Sequence, residues 1–166
     1  MLTTFIGTRA QLIKMAPVLL LVEEGGLPHH LVFTGQHKET MTQLLADFGI
    51  KTRPVYLYEG REITGIFFFF FWFIRCLYRI LTDADRYLPK VQGQRNIIIV
   101  HGDTFSTLLG AVAGRIRKMD VAHVEAGRRS RDMTMPEEVN RLVTDRLSTL
   151  LLTPSRDGDA KLLAEG

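Results

Sequence analysis

Short apolar runs alternate with longer stretches of helical spacing along this chain, and the short runs end on polar turns. Ile97-Ile98-Ile99-Val100 stops at His101-Gly102-Asp103-Thr104, and Val121-Ala122-His123-Val124 runs into Glu125-Ala126-Gly127 in the same way. Brief, β-branched and wholly apolar, the Ile97 run suits a strand buried on both faces, as in parallel sheets. The pattern predicts strands at residues 2–6, 31–33, 55–58, 97–100, 121–124 and 150–152. Between them it predicts helices at 10–24, about 39–48, about 104–118 and 136–148, with a last helix capped by Ser155. Gly25-Gly26 and Gly49 stop two of these helices, and Pro136 suits a first helical turn.

Strands alternating with helices imply an α/β fold, a Rossmann-like parallel sheet with right-handed crossovers and helices on both faces. All strands then point one way. The polar residues that follow them gather on one edge: Thr8 and Arg9, Gln36 and His37, His101 and Asp103, then Glu125. Open α/β sheets bind their ligands along that edge.

The segment Ile66-Phe67-Phe68-Phe69-Phe70-Phe71-Trp72-Phe73-Ile74 breaks the alternation. It is too short to span a bilayer, which takes roughly twenty apolar residues. A helix over about 63–82 accommodates it, with Arg75 and Arg79 on one face. The expectation is a helix packed on the sheet, open to water only along a narrow arginine stripe. Its surplus aromatic surface suits a homodimer interface. The alternative is peripheral contact with a membrane surface, aromatics down and arginines at the headgroups.

At 166 residues, the expectation is one domain with its own core, spanning 1–166. A formal charge of +3 without a long basic run does not suggest nucleic acid, whereas acidic small molecules such as nucleotide sugars fit. The single cysteine, Cys76, excludes an intrachain disulfide and sits among apolar neighbours as a packed hydrophobe. The N-terminal residues lack the charged start and cleavage site of a signal peptide, and read as the first strand of a cytoplasmic protein.

Asp103 and Glu125 each follow a buried strand, and Glu137 and Glu138 open a helix after a neighbouring loop. Carboxylates on one edge can take a proton from a carbon acid and return it when their pKa values are tuned apart. Singly, each has a structural explanation: Glu137 and Glu138 suit a positive helix end, and Asp103 can cap its helix. Arg9 and Lys14 flank the start of the first helix, where free N–H groups favour phosphate. The separations of His37, His101 and His123 match no zinc pattern, so no metal is expected; His123, inside a strand, reads as a satisfied core histidine. No Gly-x-Gly-x-x-Gly or P-loop occurs.

Gly7-Thr8-Arg9, Ile13-Lys14-Met15-Ala16-Pro17, Thr34-Gly35-Gln36-His37, His101-Gly102-Asp103-Thr104, His123-Val124-Glu125-Ala126-Gly127 and Pro136-Glu137-Glu138-x-Asn140-Arg141 occur in this order. Together they resemble the N-terminal half of the non-hydrolysing UDP-N-acetylglucosamine 2-epimerases. The resemblance implies one half of a glycosyltransferase-B arrangement, two Rossmann-like domains facing across a cleft. It implies a reaction in which the C2 proton and UDP are eliminated and UDP is added back with C2 inverted. The product is UDP-N-acetylmannosamine, an intermediate for polysaccharide biosynthesis. By motif match Asp103, Glu125 and Glu137 are the catalytic carboxylates, and Arg9, Lys14, Gln36 and His37 bind substrate. No cofactor is implied.

The chain departs from the family pattern at Ala10-Gln11, where Pro-Glu is usual, and at Arg128, where leucine is usual. Loss of the proline should loosen the helix start, and Gln11 removes a negative charge beside the site. Because the sequence ends at Gly166, the resemblance implies a partner, a C-terminal UDP-binding domain or a separate chain, without which the domain should be inactive. A regulatory interaction module with this half-fold, and the acceptor half of a split glycosyltransferase, are the other readings.

Overall fold

The computed structural model describes residues 1–35, 38–58 and 65–166. Along the chain run β1 (Leu2–Ile6), α1 (Arg9–Glu24), β2 (His29–Phe33), α2 (Lys38–Asp47) and β3 (Val55–Tyr56). Then come α3 (Ile66–Thr82), α4 (Ala84–Tyr87), β4 (Ile97–His101) and α5 (Phe105–Ile116). The chain continues through β5 (Asp120–Val124), α6 (Pro136–Leu147), β6 (Leu150–Leu152) and α7 (Arg156–Glu165). The strands form one six-stranded sheet in the order β3-β2-β1-β4-β5-β6, and every neighbouring pair is parallel. The chain therefore steps outward from β1 to β3 and returns to lie beside β1 as β4. That reversal leaves a crevice beyond the carboxyl ends of β1 and β4.

Alternation along the strands supplies a core to each face. Phe5, Ile98, Val100 and Val121 pack with α3, α4 and α5, while Ile6, Ile99 and Ala122 pack with α1 and α2. Leu12, Met15, Leu19 and Val22 of α1 are all buried, as their spacing requires. Register sets the strand ends level: Ile6 lies opposite Phe33, and His101 opposite Val124. The turns after these strands consequently form one rim. They approach closely enough that a Cβ added at Gly35 would stand 2.0 Å from the Gly7 carbonyl oxygen.

Three expectations need correction. The start of α1 is not loosened by Ala10: the Thr8 side chain accepts from the Gln11 amide, and the Gln11 side chain accepts from the Thr8 amide, closing a capping box. Asp103 does not cap α5, because the cap is Thr104, whose hydroxyl accepts from Thr107 N. The third concerns α3, which is not confined to an arginine stripe on its open side. Trp72, Cys76 and Ile80 pack inward, but Phe67, Phe68, Phe70 and Phe71 face solvent, Phe67 at 78% exposure. Arg79 turns in instead, donating to the Leu57 carbonyl at 2.6 Å and the Tyr87 hydroxyl at 3.1 Å. Burial pushes the Cys76 thiol up to about 12, in keeping with a packed hydrophobe. Among the described residues no helix is long and apolar enough to cross a membrane.

Candidate active site

Glu125 follows β5 directly and adopts φ 73°, a left-handed conformation that costs a non-glycine residue stability and concentrates at functional sites. The turn aims its carboxylate back toward α1 and β4. Lys14 Nζ donates to both oxygens at 3.2 and 3.0 Å, His101 Nε2 lies 3.2 Å from Oε2, and Arg128 donates to Oε1. Burial pushes the Glu125 carboxyl up, but the hydrogen bonds from Lys14 and Arg128 and the charges of Lys14 and His101 outweigh it. The carboxyl ends below the usual glutamate value. For His101, burial prevails over the attraction of Glu125 and holds the imidazole below the ordinary histidine value. Its Nδ1 is buried without a partner among the described residues, so the geometry suits a neutral ring donating from Nε2.

Asp103 follows the positive-φ residue Gly102 in the neighbouring turn. Its carboxylate pairs with Arg141 Nη2, and its carbonyl accepts from Asn140 Nδ2 at 3.0 Å, both partners coming from α6. Arg141 also reaches Glu138 Oε2 at 2.6 Å. Glu138 is buried and structural: it accepts from the amides of Ser130 and Arg131 at 3.0 and 3.1 Å, holding the loop that leads into α6. Burial raises its pKa, but those amides and Arg141 leave it lowered.

Glu137 and Arg9 behave differently. Both line a cavity of about 800 Å³ at the crevice, with Thr8, Gly35, Asp103 and Asn140, and neither makes a hydrogen bond or ion pair to a described residue. The opposite side of that cavity is aromatic. Phe69 of α3 stacks on Phe105 with centroids 4.9 Å apart and meets Trp72 edge-on. A smaller recess of about 130 Å³ adjoins it, lined by Lys14, His101, Asp103, Glu125 and Arg128.

Sequence reasoning placed Arg9, Lys14, Asp103, Glu125 and Glu137 on this rim, and all five line one or other of the two spaces. Gln36 and His37 lie outside the described residues. Reasoning from sequence missed what Arg128 and Arg141 do. Only the three-residue spacing from Glu138 to Arg141 hinted at the second. It also missed the buried chain behind the site. His123 sits between Asp145 Oδ1 at 2.6 Å and the Gly102 carbonyl at 2.7 Å, and Arg129 joins Asp145 to Glu165 at 2.7 and 2.6 Å. His123 is thus a satisfied core histidine, as its place in a strand implied, and it also fixes the turn that carries Asp103.

Residues 21–166 match the family profile described as UDP-N-acetylglucosamine 2-epimerase. The chain is 33% identical to the UDP-N-acetylglucosamine 2-epimerase of Methanocaldococcus jannaschii over 99% of its own length and 43% of that relative. It is 35% identical to the UDP-2,3-diacetamido-2,3-dideoxy-D-glucuronate 2-epimerase of Pseudomonas aeruginosa, over 98% of this chain and 44% of that one. The crystal structure of the Neisseria meningitidis UDP-GlcNAc 2-epimerase bound to UDP-GlcNAc superposes with a TM-score of 0.80 at 33% identity. That superposition covers 99% of this chain and 43% of the Neisseria chain. The chain spans less than half the length of these relatives. Sheet order, rim and profile agree, and the chain belongs to the UDP-N-acetylglucosamine 2-epimerase family, covering an N-terminal portion of it.

Proposed function

We propose that this chain forms the carboxylate-bearing wall of a nucleotide-sugar 2-epimerase that interconverts UDP-N-acetylglucosamine and UDP-N-acetylmannosamine. One observation carries the reading: three carboxylates share the rim in three different electrostatic states. Glu125 is tied to Lys14, His101 and Arg128, Asp103 is tied to Arg141, and Glu137 faces the cavity without a partner among the described residues. A carboxylate without a cation is the better proton acceptor, so Glu137 is assigned the C2 proton. As that C–H bond breaks, the bond from C1 to UDP breaks too, leaving a C1=C2 double bond. UDP then re-forms its bond to C1 while C2 takes a solvent-derived proton on its opposite face, passed by Asp103 as the second carboxylate, and Glu137 returns its own proton to solvent. Arg9 and Lys14 attract the diphosphate, and Glu125 keeps Lys14 in place. The remaining uridine and diphosphate contacts come from a C-terminal domain or separate chain, and without it the chain turns substrate over poorly.

The test is titration of the ¹⁵N-labelled chain with UDP-N-acetylglucosamine. Shifts confined to Thr8, Arg9, Lys14, Asp103, Glu125, Glu137 and Asn140 support the reading. Shifts elsewhere, or none at millimolar ligand, contradict it.

A second copy of the chain is proposed to cover α3. Phe67, Phe68, Phe70, Phe71, Ile74, Tyr78 and Leu81 are 40–78% exposed on its outer side. With aromatic areas of roughly 150–250 Å² each, they present roughly 800 Å², about one partner's share of a standard interface. An isologous pair of these faces would close on itself.

A further inference from the structure

Gln11 carries a buried side-chain amide that both accepts and donates. It is 3% exposed and lies under the rim, between the turn after β1 and the turn after β4. Its Oε1 accepts from the backbone N–H of Gly7 at 2.8 Å and of Thr8 at 3.2 Å. Its Nε2 donates to the His101 carbonyl at 2.7 Å and lies 3.0 and 3.1 Å from the hydroxyls of Thr107 and Thr104. The Thr107 hydroxyl itself donates to the His101 carbonyl at 2.6 Å, which leaves its lone pair for Gln11. Both lone pairs and both hydrogens of the amide are therefore used, and only one orientation allows it: the reversed amide would set hydrogens against Gly7 and Thr8 and oxygen against the His101 carbonyl.

We propose that Gln11 is the positioning residue of this site: its amide clamps the turn bearing Arg9 to the turn bearing Asp103, and so fixes the distance between cation and carboxylate. This rests on the reading of the rim as the nucleotide-sugar face. The backbone of Gly7 and Thr8 leads directly into Arg9, and the His101 carbonyl lies two residues before Asp103. An ionised carboxylate at this position accepts from Gly7 and Thr8 but has no hydrogen for the His101 carbonyl, so it makes that bond only when protonated. A thioether satisfies neither side. The charged and titratable groups around the clamp are Arg9 and Lys14 from α1, His101 and Asp103 from the β4 turn, and Glu125 and Arg128 from the β5 turn.

The decisive comparison uses the whole chain as Gln11→Glu, Gln11→Met and the milder Thr107→Val, each measured against wild type at the same pH. Amide signals of residues 7–9 and 101–104 are followed without ligand, and affinity for UDP-N-acetylglucosamine is measured beside them. At pH 8 Gln11→Glu should displace both sets of signals together and leave those of β2 in place. At pH 5 its signals should return to the wild-type positions, a rescue that loss of stability alone would not give. Gln11→Met should be displaced at both pH values and bind at least tenfold more weakly than wild type, and Thr107→Val should show a smaller displacement of the same kind. Signals that move in one turn only, or that do not follow pH in Gln11→Glu, overturn the clamp. If both turns move with pH while wild type binds no nucleotide sugar, the clamp stands and the reading of the rim falls.

Discussion

Lys14 Nζ lies 3.0 Å from Glu125 Oε2, joining the first helix to the turn after the fifth strand across the mouth of the crevice. Lys14 is about half exposed, so the pair adds little to stability. Lys14→Met should change unfolding free energy by less than about 1 kcal/mol. If the lysine also serves the diphosphate, affinity for UDP-N-acetylglucosamine should fall about tenfold or more, about 1.4 kcal/mol. Calorimetric titration beside a urea melt separates the two effects.

Acid should weaken the fold earlier than carboxylates alone would cause. Burial holds His101 below its unfolded value, and burial does the same to His29 and His30. Such a group binds more protons unfolded than folded, so its contribution is complete above about pH 6.5 and is lost as pH falls. Glu125, Glu138 and Asp145, also lowered, follow the same sign at lower pH. The urea midpoint should be level above pH 7 and decline below about 6.5. His101→Asn should show a shallower decline between pH 5 and 6.5 than wild type, with His29 and His30 supplying the remainder.

Behind the rim, Arg129 is nearly inaccessible and is paired with both Asp145 and Glu165. Burial raises the Asp145 carboxyl, but His123 and Arg129 bring it below its usual value. Arg129→Met leaves that carboxylate buried with only His123 and the Gly127 amide, and should cost about 3–5 kcal/mol in urea denaturation. The turn at Gly102 should loosen with it, visible as faster amide exchange at Asp103.

Strand ends and rim were legible because β-branched runs stop at glycine turns, and parallel register does the rest. Ile97–His101 and Asp120–Val124 needed no long-range information. The orientation of α3 was not legible, because five successive phenylalanines carry no period. Which ones face inward is decided by partners distant in sequence: Phe105 for Phe69, and the Leu57 carbonyl for Arg79. The two-residue β3 and the short α4 were likewise set by packing, with Tyr87 buried under Arg79 and Arg86. Gln11 looked like the loss of a charge; its bonds to Gly7 and Thr8 are local, but those to His101, Thr104 and Thr107 appear only when the turns after β1 and β4 are brought together.

The exposed aromatic face of α3 makes a direct prediction. Phe68→Glu with Phe71→Glu should raise the dimer dissociation constant about a hundredfold or more in analytical ultracentrifugation, since central aromatics each carry about 2 kcal/mol or more. A wild-type chain that is monomeric at tens of micromolar, or that floats with anionic liposomes, contradicts the second-copy assignment.

The most direct measurement joins this chain to the C-terminal part of the Methanocaldococcus jannaschii relative and incubates the product with UDP-N-acetylglucosamine in D₂O. UDP-N-acetylmannosamine carrying one solvent deuterium at C2 is the expected result, with Glu137→Gln lowering its rate at least a hundredfold. A folded chimera that binds the nucleotide sugar yet neither inverts nor exchanges the C2 hydrogen would contradict the assignment of this rim as the epimerase wall.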